Sequence, residues 1–283
     1  MIEQVLITGA TGAFGKTMVK FLCSLESIKR ICVYSRDEFK QSQMRACVKD
    51  ERVRYFIGDV RDAERLTRAM SDIDLVIHAA ALKRIEVGAY DPMEVVKTNV
   101  MGSMNVINAA MDAKVKRVIA LSTDKACEPV NLYGATKLAM EKMILAANNA
   151  RGAFGPRFAV TRYGNVAGST GSVIPIWREA LAQGMDVIVT DPTCTRFWMT
   201  QEEAVQLVWE LAQQMKGGEL AVPHLPAYSL GDLLTAMCIP PQKQLLVGLG
   251  AEEKRHERMT PTMSSADARR MTLDELTKGL AAL

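Results

Sequence analysis

Short β-branched apolar runs alternate with amphipathic stretches up to about residue 165. The runs predict strands at Val5–Thr8, Ile31–Tyr34, Val53–Ile57, Leu75–His78, Val118–Ser122 and Phe158–Arg162. Between them, apolar positions recur at helical spacing over Phe14–Leu25, Glu38–Val48, Ala63–Met70, Met93–Ala113 and Leu132–Asn149. Strands that read as continuous apolar runs, separated by helices, predict an α/β fold with a parallel sheet covered on both faces. Right-handed crossovers make a doubly wound sheet the economical topology.

After Asn165 the pattern loosens. Gly168, Gly171 and Pro175 interrupt it; a helix at about 176–183, a strand Val187–Val189 and a helix near 201–215 follow. Gly217-Gly218 and the prolines at 223, 226, 240 and 241 punctuate the rest. The expected organisation is a sheet-bearing domain over 1–168 and a smaller lobe over 169–283 that covers ligand at the sheet's carboxyl edge. Some segments of that lobe are expected to return to the sheet-bearing domain.

Candidate chemistry begins at the first strand-to-helix junction, Thr8-Gly9-Ala10-Thr11-Gly12-Ala13-Phe14-Gly15. Gly9 and Gly12 permit a tight turn that brings backbone N–H groups, Thr11 among them, against a pyrophosphate. Gly15 permits close packing of the helix, whose N-terminus at Ala13 and Phe14 supplies positive potential. The spacing is GxxGxxG rather than the GxGxxG of the standard dinucleotide fingerprint, but its place in the chain predicts a nicotinamide dinucleotide site. At the end of the second strand, Ser35 and Arg36 stand where an acid would hold the ribose 2′-OH of NAD. A guanidinium there suits a 2′-phosphate, which favours NADP over NAD; the rival role for Arg36 is a surface arginine beside a helix cap, Asp37. Asp59, with Val60 behind it, is placed to accept from the adenine, a helix cap being its equal rival role, and Ala79-Ala80-Ala81 would let the cofactor lie close to the backbone.

Ser122-Thr123-Asp124-Lys125 leaves the fifth strand, and Tyr133-Gly134-Ala135-Thr136-Lys137 opens the next helix. Tyr133 and Lys137 share one helical face. A phenol is a poor base at neutral pH, so a neighbouring ammonium and the positive nicotinamide ring are expected to favour the phenolate, and Lys137 can also hydrogen-bond the nicotinamide ribose. Thr123 is placed to hold a substrate hydroxyl. The alternative for Asp124-Lys125 is a solvated loop without a catalytic role.

These blocks, with His78–Lys83, Arg162-Tyr163-Gly164-Asn165-Val166 and Thr195-Arg196-Phe197-Trp198, make the chain resemble the extended short-chain dehydrogenase/reductase family. Within it the chain is similar to inverting nucleotide-sugar 4,6-dehydratases acting on UDP-N-acetylglucosamine. The resemblance runs over about the first 215 residues, is most specific at Asn131–Lys137, and becomes patchy in a tail that is short for the family. It implies that Tyr133 takes the proton of the sugar 4-OH, Lys125 removes the C5 proton and Asp124 protonates the departing 6-OH. Retaining relatives carry Asp-Glu where this chain has Asp124-Lys125. For Lys125 to act as a base it must be neutral, and desolvation beside Lys137 is expected to depress its pKa. Lys83, Asn165 and Arg196 are the expected substrate contacts; a solvated loop lysine and a structural salt bridge are the rivals for Lys83 and Arg196. Asn99 reads first as a core polar residue, with orientation of Lys137 through water as its other role.

The segment Gly250–Glu257 resembles the family's Arg-Pro-Gly-Glu-Lys-x-His-Glu, with its first three residues replaced. The missing arginine would hold the nucleotide end, so this departure touches the nucleoside and the diphosphate contacts. A 4-epimerase would have no use for Asp124 and Lys125, and a retaining dehydratase would not carry the lysine. An NADP-sensing regulator would need neither Tyr133 nor Lys137.

Composition narrows little further. A net charge of +3 without a basic block gives no support to nucleic-acid binding. The six cysteines form no CxxC pair, and His78, His224 and His256 lack metal-ligand spacing, so reduced thiols and no metal are expected. Met1 leads straight into a strand and no apolar run is long enough to span a bilayer, which predicts a soluble cytoplasmic protein without membrane association. A homo-oligomer is expected by resemblance. The methionines at 93, 101, 104 and 111 read as helix packing.

Overall fold

Residues 1–283 are described by a computed structural model. The six expected strands all form, each within a residue of its predicted ends: β1 (Gln4–Thr8), β2 (Arg30–Ser35), β3 (Val53–Ile57), β4 (Leu75–His78), β5 (Arg117–Thr123) and β6 (Arg157–Tyr163). Helices α1 (Ala13–Cys23), α2 (Glu38–Cys47) and α3 (Ala63–Ala69) alternate with the first four. A short α4 (Ile85–Tyr90) follows β4. Helices α5 (Pro92–Val96) and α6 (Gly102–Asp112) are joined by a wide π-type turn at Lys97–Met101, where a single helix was expected. The helix α7 (Leu132–Ala146) connects β5 to β6.

The remaining elements are α8 (Val173–Ala182), β7 (Val187–Val189), β8 (Thr195–Phe197), α9 (Gln201–Gln214), β9 (Leu220–Ala221), β10 (Ala227–Ser229), α10 (Leu230–Ala236), β11 (Gln244–Leu246), β12 (Arg258–Thr260), β13 (Met263–Ser264) and α11 (Leu273–Ala281). Six of these are strands of two or three residues that the sequence pattern does not announce, β7 alone being foreseen.

One seven-stranded sheet in the order β3-β2-β1-β4-β5-β6-β9 holds the molecule together, and every pairing within it is parallel. Side-chain alternation explains why both faces must be covered. Val5, Ile7, Val33, Ile77 and Ile119 point into one core with Met18, Val19 and Leu22 of α1. Leu6, Val76, Val118, Phe158 and Val160 point into the other, against Leu66 of α3, Val106 of α6 and Met140 of α7. The chain after residue 168 is shared between two bodies. Val205, Val208 and Ala212 of α9 join the first core, and Trp209 meets Phe21 edge-on at 5.8 Å. Trp177, Val187, Val189, Tyr228, Leu233 and Leu276 form a separate core of their own.

The methionine expectation is corrected: Met93 on α5, Met101 at the end of the π-type turn and Met104 on α6 are exposed on a solvent-facing side, and only Met111 packs against the core. No helix is long and apolar enough to cross a membrane.

Candidate active site

Strand order reverses between β1 and β4, so their carboxyl ends open the crevice in which such sheets take ligands. Gly9 lies there with φ +67°, and a Cβ on it would stand 2.8 Å from the Ala80 backbone. The glycine turn and the alanine run are therefore packed against each other, as a close cofactor approach requires. Gly12 caps α1 without any side-chain hydrogen bond, which leaves the first N–H groups of the helix, at Ala13, Phe14 and Gly15, for an anion. Thr11 is buried beside them, and Phe14 packs between the main core and Tyr163. These residues fit a dinucleotide.

At the adenosine end, Ser35 is buried and its Oγ accepts from Gln41 Nε2 at 3.0 Å, whereas Arg36 is half exposed. Asp37 does cap α2, accepting from Lys40 N at 2.9 Å. Asp59 holds Arg61 at 2.7 Å and reaches Arg36 at 3.7 Å. Its carboxyl is held below the usual range: burial raises it, but the Arg61 hydrogen bonds and the charges of Arg61 and Arg36 outweigh that. Val60 is a core residue packed against α6, its carbonyl accepting from Asn105 at 3.0 Å.

A chain of buried hydrogen bonds runs from Thr8 at the end of β1 toward α7. Ser103 Oγ donates to the Asn99 carbonyl at 2.5 Å, so it accepts from His78 Nε2 at 3.0 Å, and His78 Nδ1 accepts from Thr8 Oγ1 at 2.8 Å. Asn99 exchanges two bonds with the Leu82 backbone and donates to Thr136 Oγ1 at 3.1 Å; Thr136 donates to the Tyr133 carbonyl at 2.9 Å. Asn99 sits inside the π-type turn, which presents its amide to both elements. It is the polar core residue that the sequence suggested.

Lys137 is buried on α7 and donates to the Leu121 carbonyl. Burial lowers its pKa to about 8, with Glu141 one turn along acting the other way. Tyr133 is pushed up to about 12 by burial; the cation that opposes this is Lys125, not Lys137 as the helical spacing suggested. Thr123 Oγ1 donates to Asp124 Oδ1 at 2.9 Å.

Asp124 and Lys125 form a tight turn after β5, and this turn lies against the start of α7. At Gly134 a Cβ would stand 2.2 Å from the Lys125 carbonyl oxygen, so only glycine lets the two segments meet. Asp124 is fully buried, and burial ahead of all else raises its pKa. Lys125 Nζ lies 3.1 Å from Asp124 Oδ1 and 3.2 Å from Glu257 Oε1. The expectation that Lys125 is depressed is therefore corrected. Burial does act downward, but the Asp124 and Glu257 carboxylates outweigh it and raise its pKa above the ordinary lysine value.

Asn165, Arg196, Lys125 and Glu257 line one cleft. Arg196 donates to the carbonyls of Thr195 and Arg255, and its Nε stands 4.0 Å from Glu257 Oε1. Lys83 is exposed nearby; partial burial, then Arg84 and Lys125, lowers its pKa. Asn165 Oδ1, Asp124 Oδ2 and Glu257 Oε2 are buried acceptors without a protein partner. Such oxygens suit a ligand rich in hydroxyl and amide donors.

Sequence reasoning gave Glu257 no role. It arrives on a segment whose wall-forming contacts are Asn131 Nδ2 to the Glu252 carbonyl, 3.0 Å, and Lys254 Nζ to the Cys127 carbonyl, 2.5 Å. The only prior signal was the partial match of Gly250–Glu257 to the family segment.

The chain matches the family model described as polysaccharide biosynthesis protein over residues 5–275. A Campylobacter jejuni protein named UDP-N-acetylglucosamine 4,6-dehydratase (inverting) is 50% identical over 258 residues, 91% of this chain and 77% of that one. A Rickettsia prowazekii protein named UDP-glucose 4-epimerase is 41% identical over 238 residues, 83% of this chain and 70% of that one. Among solved structures, Pen from Bacillus thuringiensis aligns with a TM-score of 0.92 at 33% identity, covering 99% of this chain and 98% of that one.

Proposed function

Because the chain belongs to the polysaccharide biosynthesis protein family, we propose that it is a nucleotide-sugar 4,6-dehydratase that inverts C5. Its proposed substrate is UDP-N-acetylglucosamine, the compound in the name of its 50%-identical relative. The observation that carries this assignment is the buried Asp124 carboxyl, bonded to Lys125 and to Thr123 on a turn packed against the helix that carries Tyr133.

The catalytic roles follow from these contacts. Tyr133, as the phenolate that the Lys125 charge favours, takes the proton from the 4-OH. When bound, NADP would accept hydride from C4 and return it to C6. Lys137 steadies the ribose side of the site from one helical turn away. The C5 proton, made acidic by the 4-ketone, goes to Lys125, and Asp124 gives a proton to the departing 6-OH.

Lys125 must lose its own proton first. A single transfer from Nζ to Asp124 Oδ1 across 3.1 Å turns the ion pair into a neutral amine and a protonated acid, the two forms the elimination needs. Burial of Asp124 favours that protonated form. Asn165, Arg196 and Lys83 are assigned to the sugar and diphosphate, and Arg36 to the 2′-phosphate of NADP.

The test is to incubate the protein with UDP-N-acetylglucosamine in deuterated water and follow products by mass spectrometry and NMR. Loss of water with deuterium at an inverted C5 is expected. No turnover, or retained configuration at C5, would overturn the assignment. The name of the Rickettsia relative favours a second activity, 4-epimerisation; a product that keeps its 6-OH would establish it.

A further inference from the structure

Glu257 is the one buried carboxylate in the cleft that the proposed chemistry leaves without a task. Its side chain is 4% exposed, and one oxygen, Oε2, has no partner. The other lies 3.2 Å from Lys125 Nζ and 4.0 Å from Arg196 Nε.

Its position is built rather than incidental. The Glu257 N–H donates to Ser265 Oγ at 2.9 Å, and its carbonyl accepts from Ser265 N at 2.8 Å. Ser265 Oγ is bonded in turn to Thr195, at the start of β8. Two residues on, the Met259 carbonyl accepts from Arg162 Nη1 at 2.7 Å, and Arg162 is clamped to Glu141 on α7. Glu257 is thus anchored to the same helix that carries Tyr133 and Lys137.

We propose that Glu257 is a positioning residue for Lys125: its carboxylate holds the Nζ between itself and Asp124, and so decides when that nitrogen is free to take the C5 proton. This rests on the assignment of Lys125 as the C5 base. The charged and titratable groups around Lys125 are Asp124 on its own turn, Glu257 and Arg196 from the cleft wall, Lys83 after β4, Tyr133 on α7 and Tyr228 on β10. Burial pushes Glu257 up, but Lys125, Arg196 and Lys254 outweigh it and keep it a carboxylate while Asp124 is pushed the other way. Of the two acids, Glu257 is therefore the lasting negative charge and Asp124 the one that takes up a proton.

Competitive acetylation across pH, read by peptide mass spectrometry, tests this in the intact protein without depending on turnover. Lys125 is expected to react only at higher pH than exposed lysines such as Lys29. In Glu257→Gln its midpoint should move down by about one pH unit or more. In the same variant the rising limb of C5 deuterium exchange should move to lower pH, while its plateau falls about tenfold. A purely structural role would lower the plateau and leave both pH positions unchanged, and that result would overturn the proposal. If Glu257→Gln does not fold, the wild-type midpoint decides, since an ordinary lysine value overturns the proposal as well. If the wild type labels as expected but releases no water from the substrate, the dehydratase assignment fails and the Glu257–Lys125 coupling stands.

Discussion

The Arg162 guanidinium forks onto the Glu141 carboxylate inside the protein, Nε to Oε1 at 2.8 Å and Nη2 to Oε2. Both side chains are almost fully buried, and the third arm of the arginine holds the Met259 carbonyl, 97 residues along the chain. Removing one partner strands the other's charge in a dry setting. Glu141→Gln or Arg162→Met should cost about 3–5 kcal/mol of stability. Replacing both by apolar residues should cost clearly less than the sum. Urea unfolding of the two single variants and the double variant checks this; additive losses would argue against a coupled buried pair.

That pair also marks where legibility ended. The sheet was readable because its strands are apolar on both faces, and Val5–Thr8 or Leu75–His78 can do little else. Tyr133, Lys137, Asp124 and Lys125 were readable because each sits within a few residues of a strand end or helix start. Glu257 was not, since its meaning comes only from Lys125, which lies far away in sequence. The strands β8, β10 and β12 are three residues long and defined by pairing alone, and no local pattern specifies them. The sign of the Lys125 shift was missed for the same reason. Desolvation could be inferred from the neighbourhood, but the second carboxylate could not.

Gly134 should be intolerant of even one methyl group. A Cβ there would collide with the Lys125 carbonyl, which is backbone and cannot swing aside. Gly134→Ala should push the Asp124-Lys125 turn off α7 and lower kcat about 10²-fold. Cofactor affinity should hardly change, because the glycine turn lies on another strand. Matching losses in kcat and in NADPH binding would contradict this.

His78 makes stability pH-dependent in a stated direction. Burial, with a contribution from Lys137, lowers its pKa from 6.5 to about 3, so the folded state keeps it neutral. Above pH 6.5 it is neutral in both states and contributes no pH dependence. Below that the unfolded chain takes a proton that the folded one refuses, so stability falls by about 1.4 kcal/mol per pH unit until pH nears 3. His78→Gln should be less stable at neutral pH, because Thr8 and Ser103 lose a matched partner. Its urea midpoint should nevertheless decline less steeply between pH 6.5 and 5 than that of the wild type. Parallel slopes would rule out His78 as the source.

Arg36 should govern the choice between the two nicotinamide cofactors. It is more than half exposed and held only loosely, 3.7 Å from Asp59, whereas Arg61 makes the close bond to the same carboxylate. Ser35 is buried and carries no charge, so it cannot stand in for a guanidinium. A 2′-phosphate would therefore meet a guanidinium that loses little by turning toward it, and charge-assisted bonds of that kind are among the stronger ones. Arg36→Ala should weaken NADPH binding about tenfold or more in a fluorescence titration, with NADH nearly unchanged. The contrast matters more than either value. Asp59 remains in both proteins, so a loss shared equally by the two cofactors would place Arg36 in support of the adenosine pocket rather than on the phosphate.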